Sequence, residues 1–290
     1  MRPFQSNPPT FTLSLAAMMM VSLPGVMMAQ QQPGYQPNSA DLQRLLATKV
    51  CQKCDLRGAS LQNQNLKGAN LREADLRGAN LSGANLDDAS LESANLQAAN
   101  LNRATLRRAS LTTVVHQATN LQSANLAAAS LIKAKLRGAD LRQANLVGAN
   151  LEDADFSLAV IETPTGKRRT FMGDLQAANL SNSNLRNALL NQVNLKDANL
   201  SGANLNRASL KQANLENTNL TGANLAYADL RKASLKTVNL KGADLRSAHL
   251  SKVVMTAVNL KDAKLSNADF RGARVCQTEI PPRVQGYMSC

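Results

Sequence analysis

Cys51 and Cys54, in the stretch VCQKCDLRGAS, are separated by two residues. That spacing serves three chemistries: a thiol–disulfide redox pair, half of a zinc site, or a structural disulfide. Zinc needs about four ligands, and the remaining cysteines, Cys276 and Cys290, lie at the far end of the chain. A redox pair of the thioredoxin type needs an accessible thiol of lowered pKa at a helix N-terminus. The two histidines, His116 and His249, are isolated, and no Ser/His/Asp or Cys/His set emerges around them, a weak start for catalysis. A second kind of chemistry is suggested by ETPTGKRRTFMGD, residues 162–174. Pro164-Thr165-Gly166 signals a tight turn, and Lys167, Arg168 and Arg169 with an exposed Phe171 make a basic loop with an aromatic tip. Such a loop docks on an acidic partner or an anionic surface; the plainer alternative is an insertion tolerated between two structural blocks.

The elements that must position these residues are unusually explicit. Leu recurs at every fifth position from Leu56 to Leu151, interrupted at His116, and Phe156 and Ile161 extend the series. A second run goes by fives from Leu175 to Leu250 and on through Met255, Leu260, Leu265, Phe270 and Val275. The runs hold 22 and 21 units, and a period of this kind has to be recognised before any local assignment. Ala usually precedes the Leu by two, with Asn, Asp, Ser or Thr between. On an α-helix a step of five residues sprays Leu around the axis, and on a flat strand it alternates faces. Each five residues must therefore be one geometric unit that turns a corner, with Ala and Leu inward, Asn outward and the next two residues at the corner, where Gly is frequent. The chain has no Trp and 3% aromatics, which suits a narrow, repetitive interior.

In this frame Cys51 falls on a Leu site and Cys54 on an Ala site, both inward. A structural disulfide plugging the end of the coil is expected, with a reduced buried pair and redox or metal chemistry as alternatives. SADLQRLLATKV supplies a short helix over 41–50 as a cap: Asn38 or Ser39 can cap it, Asp41 suits the positive first turn, and Leu42, Leu45 and Leu46 form an apolar stripe. At the other end Cys276 and Cys290 bracket CQTEIPPRVQGYMSC. A disulfide between them closes a loop worth roughly 3 kcal/mol in the chain-entropy model.

The A(N/D)LXX pattern resembles the pentapeptide-repeat proteins. The resemblance implies an all-β solenoid, a right-handed four-sided (quadrilateral) β-helix with about four units per coil, and hence roughly 10 to 11 coils. Some members of that family imitate DNA with an acidic rod and occupy a topoisomerase. Here the formal charge is +13 and the sequence pI about 10.0, which opposes that role. Binding of nucleic acid is not expected either, because aromatic stacking surface is almost absent.

The N-terminus speaks to compartment. Arg2 is followed by an apolar run from about Phe11 to Met28, broken by Pro24-Gly25, with small Ala29 before Gln30. This is the layout of a secretory signal peptide cleaved after Ala29; the competing reading is an uncleaved anchor. Cleavage removes one charge, Arg2, from the +13. The resemblance to exported, cyanobacterial-type members implies the periplasm or the thylakoid lumen. The organisation expected is a signal peptide at 1–29, a linker at 30–40, the capping helix at 41–50, repeat blocks at 51–161 and 175–275 flanking the inserted loop 162–174, and a tail at 276–290.

With four units per coil, sites twenty apart stack. Lys211, Arg231 and Arg271 share one column, with Lys232 and Lys252 beside it, so a basic face is expected. The stretch from Arg231 to Arg274 holds ten Lys/Arg against three Asp/Glu. It could steer binding to anionic lipid or an acidic protein, or simply be a solvated face that limits association. The functional expectation is a non-enzymatic, exported, rod-like scaffold without cofactor or metal, for protein–protein interaction or structural support, whose protein partner is unknown. The alternatives are binding of an anionic membrane surface or acidic partner through the basic face, and a thiol–disulfide oxidoreductase using Cys51 and Cys54.

Overall fold

The hydrogen bonding of a single unit explains the consensus. The computed structural model describes residues 35–115, 117–279 and 286–289. In the unit Ala79–Gly83, Ala79 N–H closes a turn on Leu76 O (3.0 Å), Asn80 N–H reaches back one turn of the coil to Ala59 O (2.9 Å), and Leu81 N–H reaches forward to Asn100 O (2.7 Å). Gly83 N–H reaches Asn102 O (2.9 Å), and the fifth donor, Ser82 N–H, is taken by the side chain Asn80 Oδ1 (3.2 Å). All five donors are satisfied, as a buried backbone requires. Asn or Asp prevails at the position between Ala and Leu because its side chain can accept the N–H two residues on, although Ser60, Lys135 and Leu189 also stand there.

Parallel bridges join residues twenty apart, as in Asn65↔Asn85, Asn80↔Asn100 and Asn199↔Asn219. Four pentapeptides make one turn, and each outward position becomes a column. Leu and Ala fill the interior: Leu81, Ala84, Leu205 and Ala208 are fully buried, and Phe156 and Phe270 occupy two of the Leu sites. The second residue after the inward Leu site carries the corner, with φ from 49 at Gln277 to 69 at Gly68, except at Thr113 and Leu158, where the two insertions begin. Most of these left-handed corners are not glycine, so the ladder, rather than corner composition, holds the backbone there.

Two places depart from the twenty-residue spacing. Asn95↔Asn120, Asn100↔Asn125, Thr105↔Ser130 and Ser110↔Lys135 are twenty-five apart, and the spacing returns to twenty at Asn120↔Asp140. One extra pentapeptide is looped out between Leu111 and Asn120. Its base is pinned by buried hydroxyls: Thr113 Oγ1 donates to Gly138 O (2.8 Å) and accepts from Thr119 N–H (3.2 Å). Thr119 Oγ1 in turn accepts from Ser93 N–H (2.8 Å). His116 lies outside the described residues.

The second departure spaces Asp140↔Asp174, Asn145↔Asn179 and Asn150↔Asn184 by thirty-four. The insertion is a β-hairpin of β1 (Ala159–Glu162) and β2 (Arg168–Phe171), paired antiparallel with Ala159 opposite Phe171 and Glu162 opposite Arg168. It begins three residues before the expected loop 162–174. Ile161 is not an inward residue of the first run: it pairs with Arg169 and is half-buried. The turn is closed by Gly166 N–H to Thr163 O (2.8 Å) and Thr163 N–H to Lys167 O (2.9 Å). Pro164 sits at its second position and Gly166 is left-handed at φ 74, the arrangement of a three-residue hairpin loop.

At the C-terminal end rungs lengthen into a parallel sheet of β3 (Ser234–Lys236), β4 (Val254–Thr256), β5 (Ala273–Cys276) and β6 (Tyr287–Ser289), in that order. Cys276 is disulfide-bonded, and its expected partner Cys290 lies outside the described residues, as does the segment 1–29 expected to be a signal peptide. The N-terminal end is covered by α1 (Ser39–Thr48), two residues earlier than the expected 41–50.

Candidate functional site

The cysteine pair sits under α1. Asn38 caps the helix, its Oδ1 accepting from Ala40 and Asp41 N–H (3.0 and 3.1 Å), and Lys49 ends it in the left-handed conformation. Leu45 is fully buried against the coil, whereas Leu46 is 49% exposed. The apolar stripe is therefore Leu45 with Leu42, narrower than expected, because a helix laid across the end of a narrow tube touches it along one line. Asp41 ties the cap to the first rungs: Oδ2 accepts Asp55 N–H (2.8 Å) and Oδ1 accepts from Arg44 Nη2 (2.7 Å). Cys51 and Cys54 are joined in a disulfide and are buried to within 1% of zero exposure. Arg44 Nη2 lies 2.8 Å from Cys54 Sγ. Among the described residues the one cluster of three metal-ligand types is Asp41, Cys51 and Cys54, and the disulfide leaves it no thiolate with which to ligate.

The sequence Tyr35 to Asn38 lies alongside the same end. A Cβ on Gly58 would fall 2.7 Å from Tyr35 O, and one on Gly78 would fall 3.2 Å from the Tyr35 ring. Gly58 leaves no room for a side chain against the Tyr35 backbone, and a Cβ at Gly78 would press on the Tyr35 ring. Arg77 covers the ring, its guanidinium 5.6 Å from the centroid.

The hairpin carries the expected loop residues. Lys167, Arg168 and Arg169 are exposed. Phe171 is half-buried rather than exposed, and it stands at the base of the hairpin, opposite Ala159. A Cβ on Gly138 would fall 2.8 Å from both Ala159 Cβ and Phe171 Cβ, so the hairpin's inner face is seated on that glycine. The aromatic ring anchors the hairpin and the cations form its tip.

The basic residues stack as the twenty-residue spacing requires. Gln212 N–H bonds Arg231 O, Lys232 N–H bonds Ser251 O and Lys252 N–H bonds Arg271 O. The column is not bare, however. Lys211 and Arg231 both reach Asp229 (3.3 and 2.7 Å), and Arg271 reaches Asp269 (2.9 Å). Lys232 and Lys252 are left without an ion-pair partner among the described residues.

The pairing follows a rule that the sequence reading missed. Wherever Asp-Leu-Arg or Asp-Phe-Arg occurs, the Arg folds back on the Asp two residues before it with two parallel hydrogen bonds. Arg57 on Asp55, Arg77 on Asp75, Arg142 on Asp140, Arg231 on Asp229, Arg246 on Asp244 and Arg271 on Asp269 all do so. The signal was visible as a D-x-R spacing on one face of an extended unit. The hydrogen bond from Arg271 holds Asp269 down to about 2, against burial, which opposes it. Asp55 and Asp244 are lowered by the same arrangement. At Asp229 burial acts upward, and the bonds from Arg231 and Lys211 still bring it below the usual carboxylate value.

Taken together, a pentapeptide coil with a capping helix over a buried disulfide, a seated hairpin and columns of outward side chains defines a pentapeptide-repeat solenoid. The sequence matches the pentapeptide-repeat family in eight copies, over residues 54–92, 89–112, 119–159, 174–212, 198–236 and 239–274. The chain belongs to the pentapeptide-repeat family. Among solved structures it is similar to HetL, a pentapeptide repeat protein involved in heterocyst differentiation regulation from the cyanobacterium Nostoc. The identity is 30%, over 82% of this chain and 96% of that one, with a TM-score of 0.34. It is similar also to QnrB1, a plasmid-mediated fluoroquinolone resistance protein, at 17% identity over 70% and 84% of the two chains, TM-score 0.42. Rfr23, from the cyanobacterium Cyanothece, is 29% identical over 47% and 86%, TM-score 0.21. No curated protein sequence matches the chain.

Proposed function

We propose that the protein is a non-enzymatic scaffold, a right-handed quadrilateral β-helix exported from the cytoplasm to present side chains to a protein partner. One observation carries this reading: a ladder of parallel bridges, twenty residues apart except across the looped-out pentapeptide and the hairpin, places outward residues in columns of fixed spacing, while the interior is filled by Leu and Ala. Such a body offers rigid faces, which is what an interaction support requires. The disulfide of Cys51 and Cys54 suits an oxidising compartment, in keeping with cleavage of a signal peptide after Ala29 and residence in a periplasm or thylakoid lumen. Its burial under α1 favours a structural role over thiol–disulfide turnover.

The test is in-situ crosslinking followed by co-purification from the native envelope or lumen. A stoichiometric protein partner is the expected result. Recovery of the protein alone, or dithiol turnover abolished by Cys54→Ser, would overturn the reading. Sequencing of the native N-terminus should begin at Gln30; Met1 or Arg2 would remove the cleaved signal peptide.

A second reading rests on Lys232 and Lys252, which have no ion-pair partner among the described residues and stand beside the Lys211, Arg231 and Arg271 column. They make this face suited to an anionic membrane surface or acidic partner. Binding to vesicles containing anionic lipid at low salt, lost at high salt, is the expected result, and no binding at low salt eliminates the lipid version.

A further inference from the structure

We infer that the outer edge of β2 is a docking site for an extended acidic polypeptide segment, which adds to the β1–β2 hairpin as a third strand. The inference rests on the scaffold reading and names where and how a partner is held.

The hairpin register decides which backbone groups are available. Thr163 N–H bonds Lys167 O, so the pairs Ile161↔Arg169 and Ala159↔Phe171 are the hydrogen-bonded ones in the alternation of an antiparallel ladder. Val160↔Thr170 and Glu162↔Arg168 are the non-bonded pairs, and the N–H and C=O of Arg168 and Thr170 point away from β1. The sheet has two strands, and no backbone partner meets that edge among the described residues. Along the coil each turn pairs with the next, whereas β2 leaves this row of groups open, and an open strand edge is a template for pairing with another chain.

The surroundings select the occupant. A groove of about 770 Å³ runs beside β2, lined by Thr170, Phe171, Met172 and Val193 and by the charged Lys196, Arg142, Asp140 and Asp174. The two carboxylates lie 2.6 and 3.8 Å from Arg142, and Met172 is 58% exposed. At the tip, Lys167, Arg168 and Arg169 stand against a single acidic residue of the hairpin, Glu162. None of the three cations has an ion-pair partner among the described residues. An open row of alternating donors and acceptors is complemented by another polypeptide backbone, which gives affinity, while side-chain surroundings give specificity. Small anions and lipid headgroups use the cations but leave the edge unpaired. A second copy of this chain would supply a backbone but would bring two cation triplets together, a repulsive arrangement. An acidic segment with an apolar residue for the Phe171–Met172 end satisfies the edge, the groove and the charge at once.

The probe is a fluorescein-labelled (Glu-Val)5 peptide, titrated by anisotropy against the full chain, with (Lys-Val)5 as its charge reverse. Thr170→Pro removes one outward N–H, and because Thr170 makes no ladder bond to β1 the hairpin is expected to survive, as prolines do on edge strands. The expected result is saturable binding of (Glu-Val)5, at least tenfold weaker in Thr170→Pro and in the combined Lys167→Gln, Arg168→Gln, Arg169→Gln variant, with none for (Lys-Val)5. Hydrogen exchange on the unmutated protein gives an independent readout: the peptide should protect the Arg168 and Thr170 amides. Absence of binding, equal binding of (Lys-Val)5, full affinity in Thr170→Pro, or no protection at those amides would overturn the inference. Anionic vesicles whose binding is lost in the combined Lys167→Gln, Arg168→Gln, Arg169→Gln variant, yet which leave these two amides unprotected, would do the same. A partner that still co-purifies with the hairpin variants would leave the scaffold reading standing while this site falls.

Discussion

Gly138 and Gly148 have nearly the same backbone conformation, with φ of 67 and 62, and opposite surroundings. A Cβ at Gly148 meets nothing within 4 Å, whereas at Gly138 it meets Ala159 Cβ and Phe171 Cβ at 2.8 Å and Phe171 O at 3.1 Å. Gly148→Ala therefore introduces only the penalty of a left-handed L-residue, about 1–2 kcal/mol. Gly138→Ala adds overpacking to the same strain, typically 1–3 kcal/mol more, unless the hairpin lifts away to relieve it. The two routes are distinguishable. Denaturant unfolding gives the global difference, and limited trypsin digestion reports on the hairpin through Lys167, Arg168 and Arg169. The expected outcome is that Gly138→Ala is the more destabilised of the pair, or that its hairpin is cut much faster at unchanged global stability. Equal stability together with equal tryptic rates would refute the seating of the hairpin on Gly138. As a reverse control, Ala128, also left-handed at φ 54, should gain up to about 1 kcal/mol on replacement by glycine.

The other expectations concern the ladder, the cap and the carboxylates. Asn204 accepts Asn206 N–H (3.2 Å), donates to Asn184 Oδ1 (3.1 Å) and accepts from Asn224 Nδ2 (3.3 Å). Asn204→Ala should cost about 1–3 kcal/mol in chemical unfolding, with Asn204→Asp intermediate because it keeps the acceptor; a neutral Ala variant would dissolve our account of the consensus. Replacing Cys51 and Cys54 by Ser opens a four-residue loop, a loss of about 2 kcal/mol in the chain-entropy model. Hydrogen exchange should locate that loss in α1 and the first rungs, and a uniform loss through the whole stack would contradict a local plug. Asp269 is depressed to about 2 from an ordinary 3.8. Its contribution is thus complete above about pH 4 and is lost as pH falls through about 2. Side-chain NMR titration should show this low value and its rise toward 3.8 in Arg271→Gln; an unmoved titration would remove the Arg271 bond as the cause.

Much of this architecture was legible because the interior uses a two-letter alphabet. Leu and Ala at fixed spacing declared the unit, and counting back from Leu56 placed Cys51 and Cys54 inside. What escaped has definite causes. The pentapeptide looped out before Asn120 is one full period long, so the fives continue in step across it and only the change from twenty to twenty-five in the bridges reveals it. The hairpin hid three residues of its first strand because Ala159 and Ile161 sit where the pattern expects an inward pair. Column charge was overestimated because each Arg was counted alone, when the Asp two residues earlier already holds it. The docking edge was unreadable from composition, since it depends on which of two alternating sets of amides faces β1.

The left-handed corners have a consequence for how this family is compared. Non-glycine corners as varied as Glu73, Tyr227 and Thr237 share one conformation, so the outer positions can diversify while the frame stays still. Two of every five residues are prescribed by the interior, and a third is drawn from a handful of hydrogen-bond acceptors. Any two such chains will therefore resemble one another at a substantial fraction of positions for reasons of architecture alone. Kinship of purpose has to be sought in the outward residues taken column by column, with the looped-out unit and the hairpin removed so that the faces align.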